Sequence, residues 1–188
     1  ATVLAHGADV GVALDGDADR LIIVDETGTV INGDQLRACL AWAMQASGTL
    51  SGDAVVGTVM TNGGIEPFLD SLGLTLHRTQ VGDRYVLARM QEDNLNLGGE
   101  SSGHILLTSL STSGDGLIAA LQMLQLLATN RQPASQLFRA FEPNYQKLRN
   151  LKGIDREVLT RQPVVDRLAA IETESAGDAR ILVRSSGT

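Results

Sequence analysis

The chain has 188 residues, of which 43% are hydrophobic and 20% charged, a composition that excludes wholesale disorder and allows about one to two compact domains. Its net charge of −7 opposes tight binding to nucleic acid, and its apolar runs are shorter than the about 20 residues of a membrane span, so we expect neither a nucleic-acid nor a membrane partner. The single cysteine, Cys39, excludes an intramolecular disulfide. The apolar residues around it predict a buried thiol in a reducing, cytoplasmic setting.

The predicted elements alternate between strands and helices along most of the chain. Strands are predicted at Val10–Leu14, Leu21–Val24, Ala54–Met60, Leu74–Arg78, His104–Thr108, Tyr145–Leu151 and Arg180–Val183. Helices are predicted at Asp34–Ala46, with Asp34 as the cap, and at Gly64–Leu72, Asp83–Glu92, Gly116–Ala128, Ala134–Phe141 and Val164–Glu172. This alternation is typical of a layered α/β fold. The turn at Arg131-Gln132-Pro133 predicts a boundary, after which a smaller α+β domain begins.

An acidic loop lies between the first two predicted strands, in the sequence Asp15-Gly16-Asp17-Ala18-Asp19-Arg20. Carboxylates at alternate positions in a flexible turn can direct their oxygens at one point, which is the arrangement that a hard divalent cation needs. We therefore predict that Asp15, Asp17 and Asp19 bind a divalent metal ion. A solvated acidic turn is the alternative, but crowding of like charges costs energy unless a cation relieves it.

Two other classes of site begin with the same acidic pattern. An EF-hand loop would have Glu26 at its twelfth position, but the glycine required at its sixth position is replaced by Arg20, and strands rather than helices flank the loop. An aspartyl-phosphate phosphatase uses the first Asp after a strand as its nucleophile. The loop by itself leaves that alternative open.

A glycine-rich loop, Gly99-Glu100-Ser101-Ser102-Gly103-His104, precedes a predicted strand. Glu100 and Ser102 are suited to hydrogen bonds with sugar hydroxyls, and His104 is a candidate general acid/base because a histidine titrates near neutral pH. A purely structural role is the alternative for His104. Asp83 and Arg84 are candidates for lining the same cleft, and the alternative is a helix-capping Asp beside a surface Arg.

The chain ends on Arg184-Ser185-Ser186-Gly187-Thr188, which combines a guanidinium, three hydroxyls and a glycine. These groups predict an anion-binding turn, although an ordinary polar turn has the same composition. Because the chain starts at Ala1 without Met and stops within this turn, we expect it to be a piece of a longer protein.

These three segments resemble motifs of the α-D-phosphohexomutases. The run Gly11–Arg20 is similar to the family's metal-binding loop D-G-D-G-D-R, with Ala18 in place of the second glycine. Gly99–His104 is similar to its sugar motif G-E-x-S-G-H, and the terminal segment is similar to its phosphate loop R-x-S-G-T. Leu97–Glu100 and Val81–Val86 resemble the phosphoglucosamine mutase branch more closely than the mannose or glucose branches.

The resemblance implies an α/β fold with a mixed sheet layered with helices, followed by a partial α+β C-terminal domain. It divides the chain into the tail of a second domain with the metal loop at 1–33, a sugar-binding domain at 34–132 and an incomplete phosphate-binding domain at 133–188. It implies that Mg²⁺ is the metal and that Arg20 contacts the transferred phosphate. Substrate binding is assigned to Asp83, Arg84, Glu100, Ser102, His104, Arg184, Ser185, Ser186, Gly187 and Thr188.

The activity implied by the resemblance is that of an isomerase, which interconverts glucosamine 6-phosphate and glucosamine 1-phosphate for peptidoglycan precursors. That reaction uses a phosphoserine, on a segment outside this sequence, and a bisphosphorylated intermediate, so we expect the isolated chain to be inactive. A phosphomannomutase or phosphoglucomutase is one alternative, and a non-catalytic module that binds a metal or a sugar phosphate is another. Assembly as a homodimer is left open.

Overall fold

The structure is a computed structural model that describes residues 2–177 and 179–184. Its contacts divide the chain into two compact units, residues 1–145 and 146–188. The first unit contains, in order, α1 Thr2–His6, β1 Val10–Leu14, β2 Leu21–Asp25, β3 Val30–Ile31, α2 Gly33–Ala46, β4 Ala54–Thr58, α3 Ile65–Ser71, β5 Thr75–Thr79, α4 Asp83–Glu92, β6 Leu97–Gly99, β7 Ile105–Leu107, α5 Gly116–Asn130 and α6 Ala134–Leu137. The second unit contains a 3₁₀ helix at Arg156–Thr160 and α7 Gln162–Glu174.

The first sheet of the larger unit is an antiparallel arrangement in the order β1-β2-β3. Leu14 pairs with Leu21, so the acidic loop closes the hairpin directly between the ends of β1 and β2. Leu21 and Ile23 are buried on the core side of β2, whereas Ile22 between them is exposed. This alternation fixes the register and therefore the position of the loop, because a slip by one residue would turn the apolar side chains to the other face.

The second sheet is mixed, in the order β5-β4-β6-β7. β4 is parallel to β5 and to β6, whereas β6 and β7 form an antiparallel pair. Val55 of β4 belongs to a large cluster with Leu36 of α2 and Met123 of α5, whereas Val56 faces the opposite side and packs with Val86 of α4. Helices therefore cover both faces of the sheet, which confirms the predicted mixed sheet layered with helices.

The helix α2 begins one residue earlier than predicted and has a different cap. The Asn32 side chain accepts a hydrogen bond from the Gln35 N–H at 3.0 Å, so Asn32 rather than Asp34 is the N-cap. Asp34 is buried in the first turn, where its carboxylate accepts hydrogen bonds from the Arg37 guanidinium at 2.7 Å and from the Asn62 N–H at 2.9 Å. The prediction of Asp34 as the cap was wrong because a tertiary interaction uses this carboxylate.

Strand predictions were correct where a partner strand exists. Neither Tyr145–Leu151 nor Arg180–Val183 is a strand in the described part of the chain, so both predictions were wrong. A strand requires backbone hydrogen bonds to a neighbour, and apolar alternation alone does not provide them. Conversely, no strand was predicted at Leu97–Gly99, yet it is strand β6 because it pairs with both β4 and β7.

The core of the larger unit extends beyond the predicted boundary turn at Arg131-Gln132-Pro133. Phe138 and Phe141 lie in the same cluster as Cys39, and the division between the two units follows Tyr145. The proposed division of the parent protein at residues 33 and 132 stays a prediction. None of the helices among the described residues combines the length and the apolar character needed to cross a bilayer.

Candidate metal and sugar-binding site

The acidic loop at residues 15–20, here called the metal loop, brings its three carboxylates together. Asp15, Asp17 and Asp19 each offer an oxygen, and these three atoms lie within 4.8 Å of one another. The Ala18 N–H donates to the Asp15 carbonyl at 3.2 Å, and the Arg20 N–H donates to Asp15 Oδ1 at 3.1 Å. These two bonds curl the backbone so that alternate side chains point to the same region. The cluster that the sequence predicted therefore exists.

The backbone at Ala18 is left-handed, with φ of +59°. Glycine occupies this conformation without penalty, whereas a residue with a Cβ is disfavoured there by about 1–2 kcal/mol. The resemblance noted above had glycine at this position in the family's usual loop. The turn thus retains the conformation suited to glycine although its residue is alanine.

Arg20 supplies a positive charge at the edge of the metal loop. Its Nε lies 3.6 Å from Asp15 Oδ2 and 3.8 Å from Asp19 Oδ1, and its side chain is 55% exposed. Partial desolvation raises the pKa of Asp15, but the N–H and the positive charge of Arg20 outweigh it, so this pKa lies below its ordinary value. Asp15 is therefore ionised at neutral pH, as a metal ligand must be.

The glycine-rich segment at residues 99–104, here called the sugar loop, connects β6 to β7. Its ends are joined by a hydrogen bond from the Glu100 N–H to the His104 carbonyl at 2.9 Å. The sugar loop is also connected to the metal loop, because Arg20 and His104 form an antiparallel bridge and the Leu21 N–H donates to the Gly103 carbonyl at 3.0 Å. The two motifs are remote in the sequence and adjacent in the structure.

Glycines allow the sugar loop to lie close to the start of β2 and to the start of α2. Gly103 has φ of +92°, and a Cβ there would lie 2.1 Å from the Leu21 carbonyl oxygen. At Gly33, the first residue of α2, a Cβ would lie 2.4 Å from the Glu100 carbonyl oxygen. Real Cβ atoms do not occur at such distances from backbone oxygens, so both positions require glycine.

His104 lies below the sugar loop rather than on its surface. Its side chain is 7% exposed, and its Nδ1 is 3.1 Å from Asp19 Oδ2. Its Nε2 is buried and has no hydrogen-bond partner within the described residues. The Gly114 backbone packs against this end of the ring, because a Cβ on Gly114 would lie 2.2 Å from Nε2.

Glu100 connects the sugar loop to the start of α4. Its Oε1 accepts a hydrogen bond from the Gly82 N–H at 2.9 Å, and Gly82 is the N-cap residue of α4. Asp83 is therefore not the cap; its carboxylate accepts from the N–H of Arg84 at 2.8 Å. The Arg84 guanidinium lies over the Tyr85 ring, 4.6 Å from its centroid. Both Asp83 and Arg84 are exposed next to the residue that holds Glu100.

The remaining predicted site residues are Ser102 and the terminal segment that begins at Arg184. Ser102 is exposed at the tip of the sugar loop. Arg184 belongs to the second unit, and the residues of the predicted phosphate loop that follow it, Ser185, Ser186, Gly187 and Thr188, lie outside the described residues. Asp115 caps α5, accepting from the Ile118 N–H at 2.9 Å. The first N–H of this helix, from Gly116, donates to the Ala18 carbonyl at 2.9 Å and so supports the metal loop.

Sequence reasoning missed Arg37, which supports the sugar loop from within the core. This side chain is fully buried, and its guanidinium donates to the Gly99 carbonyl, to Asp34 and to Thr61. The available signal was a charged residue within an otherwise apolar helical stretch, three positions after an acidic residue. Burial of such a pair is unusual unless it has a specific partner to hold.

Comparison with known proteins identifies related sequences and structures. Residues 32–145 match the family described as phosphoglucomutase/phosphomannomutase, alpha/beta/alpha domain III. The phosphoglucosamine mutases of Ruegeria sp. (strain TM1040) and Phenylobacterium zucineum (strain HLK1) are 51% and 52% identical over 188 and 186 residues. These alignments include 100% and 99% of this chain but 42% and 41% of those proteins. The chain therefore spans about two fifths of the length of these curated relatives.

Solved structures share the fold. A phosphoglucomutase/phosphomannomutase family protein from Burkholderia thailandensis superimposes with a TM-score of 0.66 at 26% identity, over 72% of this chain and 30% of that protein. The N-acetylphosphoglucosamine mutase of Aspergillus fumigatus, in complex with GlcNAc-6P and magnesium, has a TM-score of 0.55 at 18% identity, over 70% of this chain and 33% of that protein. Because the family match spans more than half of the sequence, the chain belongs to the phosphoglucomutase/phosphomannomutase family, the α-D-phosphohexomutases.

Proposed function

We propose that this chain is the metal-binding and sugar-binding part of a magnesium-dependent mutase that interconverts glucosamine 6-phosphate and glucosamine 1-phosphate. The observation that carries the proposal is the convergence of Asp15, Asp17 and Asp19 beside the sugar loop. The substrate is inferred from the relatives that are 51–52% identical, which are named phosphoglucosamine mutases.

The donor atoms of the metal loop fit Mg²⁺. Hard cations of this kind bind carboxylate oxygens, and three carboxylates with a single nearby arginine leave an excess of negative charge at the cluster. Asp19 Oδ1 is buried and makes no hydrogen bond with the described residues, and Arg20 Nε at 3.8 Å is too distant to donate one, so this oxygen remains available to a metal ion. Asp15, Asp17 and Asp19 would hold the ion, and bound Mg²⁺ would neutralise charge on the phosphoryl group during transfer. The Aspergillus fumigatus neighbour, solved with magnesium, supports this assignment.

The residues around the metal loop orient the substrate in this proposal. The Gly82 N–H holds Oε1 of Glu100, which leaves Oε2 to accept from a sugar hydroxyl, and the exposed Ser102 hydroxyl lies two residues further along the loop. The exposed guanidinium of Arg20 is suited to a phosphate oxygen next to the metal. Asp83 and Arg84 lie at the Gly82 turn, at the rim of this region. Such fixed contacts lower the barrier by holding the reacting groups in line.

Other parts of the proposal rest on the resemblance and the relatives. Arg184 and the residues Ser185, Ser186, Gly187 and Thr188 are proposed to anchor the phosphate that is not being transferred. The phosphoserine and the bisphosphorylated intermediate would involve a part of the parent enzyme outside this chain. A cytoplasmic location belongs to the same proposal.

The test is a mutase assay on the full-length enzyme that contains this chain, with glucosamine 6-phosphate as substrate. Asp17→Asn removes one charged ligand and is expected to abolish Mg²⁺-dependent turnover. Asp70→Asn, an equal change of charge on the exposed face of α3, is the matched control and is expected to retain activity. Unchanged turnover in Asp17→Asn would remove this residue from the ligand set.

The same assay distinguishes the alternative functions. Faster turnover of mannose 6-phosphate or glucose 6-phosphate would assign the enzyme to a different branch of the family. Substantial turnover by the isolated 188-residue chain would contradict the expectation that the reaction needs the phosphoserine segment.

A further inference from the structure

The position of His104 is difficult to reconcile with proton exchange at a sugar hydroxyl. Its imidazole is 7% exposed, with Nδ1 facing Asp19 and Nε2 packed against the Gly114 backbone. A general acid/base must reach the proton that it transfers, directly or through one water. Neither ring nitrogen faces the exposed tip of the sugar loop at Ser102.

The contact with Asp19 has a defined direction. An ionised carboxylate only accepts hydrogen bonds, so Nδ1 of His104 carries the proton and donates it to Oδ2 at 3.1 Å. This bond engages one oxygen of Asp19 and leaves Oδ1, which is buried and makes no hydrogen bond to the described residues. The engaged oxygen fixes the plane of the carboxylate, and the other oxygen remains as the candidate ligand atom.

The backbone makes this arrangement stiff. Arg20 directly follows Asp19 in the chain. Its backbone bridge to His104 therefore fixes the distance between the backbone next to Asp19 and the backbone of the histidine. Gly114 closes the far side of the ring, so the imidazole cannot retreat from Asp19 without moving the segment that leads into α5. His104 is therefore held against a predicted metal ligand by two independent parts of the chain.

We propose that His104 is a positioning residue that orients Asp19 for a divalent cation, and not a proton donor to the sugar. This inference rests on the metal site proposed above. Residues that hydrogen-bond to metal-ligating carboxylates fix the orientation of the ligand, and their loss typically reduces metal affinity about 10–100-fold. The sugar loop then has two separate tasks, with Glu100 and Ser102 facing the substrate and His104 facing the metal loop.

The test measures Mg²⁺ and Mn²⁺ binding by calorimetry to the full-length enzyme that contains this chain. His104→Ala is expected to weaken binding about 10–100-fold. His104→Asn is expected to restore most of the affinity, because its amide nitrogen occupies the position of Nδ1 and can donate to Asp19. His104→Gln extends its amide toward the position of Nε2, where Gly114 lies, so it is expected to resemble the alanine variant.

The matched control is His77→Ala. His77 makes a similar contact, 2.7 Å from Nδ1 to Asp93 Oδ2, at a site that belongs to β5 and the end of α4. Its replacement is expected to leave metal affinity unchanged. Circular dichroism of each variant verifies that the helices are retained, and the asparagine variant keeps the test decisive if the alanine variant is unfolded.

The outcomes separate this inference from the proposed metal site. If Asp19→Asn loses binding but His104→Ala retains wild-type affinity, the positioning role is refuted and the metal site stands. If Asp19→Asn binds as tightly as wild type, the metal site itself is refuted. In the full-length enzyme, activity of His104→Ala that recovers at saturating Mg²⁺ supports positioning, whereas a loss that metal cannot restore contradicts it.

Discussion

Replacing Arg37 by methionine removes the guanidinium that supports the sugar loop from inside the core. The side chain is fully buried and donates hydrogen bonds to the Gly99 carbonyl, to Asp34 Oδ1 at 2.7 Å and to Thr61 Oγ1 at 3.0 Å. Burial lowers the pKa of Arg37, and the adjacent Asp34 carboxylate partly opposes this effect. Methionine fills much of the same volume but has no hydrogen-bond donor. The substitution therefore tests the loss of charge and hydrogen bonds without leaving a large cavity.

The expected loss of stability follows from the Asp34 carboxylate, which stays buried after Arg37 is replaced. Asp34 is 2% exposed, and among the described residues it would keep only the hydrogen bond from the Asn62 N–H at 2.9 Å. Breaking a buried ion pair by removing one partner typically costs about 3–5 kcal/mol, because the other charge stays buried without compensation. For a chain of this size, each kcal/mol lowers the melting temperature by about 2–4 °C, which gives an expected decrease of roughly 6–20 °C for Arg37→Met.

Urea unfolding followed by circular dichroism measures this free energy. The double variant Asp34→Asn/Arg37→Met is expected to recover at least about 1 kcal/mol relative to Arg37→Met, because the neutral amide removes the buried charge and still accepts from Asn62. Glu92→Ala is the matched control, since its side chain is 73% exposed and 4.0 Å from Arg89, and its expected effect is below about 0.5 kcal/mol. A cost below about 1 kcal/mol for Arg37→Met would refute the reasoning, as would a double variant less stable than the single one.

Two further predictions concern the metal loop and the core. Ala18→Gly is expected to raise the unfolding free energy by up to about 1 kcal/mol. The strain released at the left-handed φ of +59° is larger than the entropic cost of glycine, which gives the unfolded chain more conformations. A lower melting temperature would contradict this. Burial raises the pKa of the Cys39 thiol to about 12 from its ordinary 9.0, so a thiol reagent at pH 7.5 is expected to label it in denaturant but not in the native chain. The pKa of Cys39 is higher in the folded chain than in the unfolded chain, so the stability contributed by the neutral thiol is complete below pH 9.0 and is lost as the pH rises toward 12. Urea titrations at alkaline pH should show that Cys39→Ala removes this part of the pH dependence of the unfolding free energy.

Local sequence was sufficient wherever one segment determines its own structure. The helix at Asp83–Glu92 and the strand at Val10–Leu14 have the predicted bounds, and Asp115 caps α5, because periodicity and capping act within a few residues. The metal loop was predictable for the same reason. Three acidic residues at alternate positions lie in one turn, and the hydrogen bonds from the Ala18 and Arg20 N–H groups to Asp15 that curl this turn are local.

Features that depend on distant partners were not readable from local patterns. Leu97–Gly99 has the composition of a loop and becomes a strand because β4 and β7 lie on either side of it. Arg180–Val183 has the composition of a strand but is not a strand in the described part of the chain. The buried pair of Asp34 and Arg37 was likewise missed, because Arg37 is positioned by a hydrogen bond to the Gly99 carbonyl, which lies far along the sequence.

The sequence by itself determined the chemistry of this protein: the carboxylates that can hold a cation, the hydroxyl and carboxylate groups of the sugar loop, and the alternation that gives a layered α/β fold. The tertiary structure decided which of these groups meet. It joins Arg20 to His104 by a backbone bridge and turns the imidazole away from the tip of the sugar loop toward Asp19. The physical reason is that Gly103 lets the Leu21 backbone, and Gly114 the His104 ring, approach within the space of a missing Cβ, and no local pattern encodes these contacts.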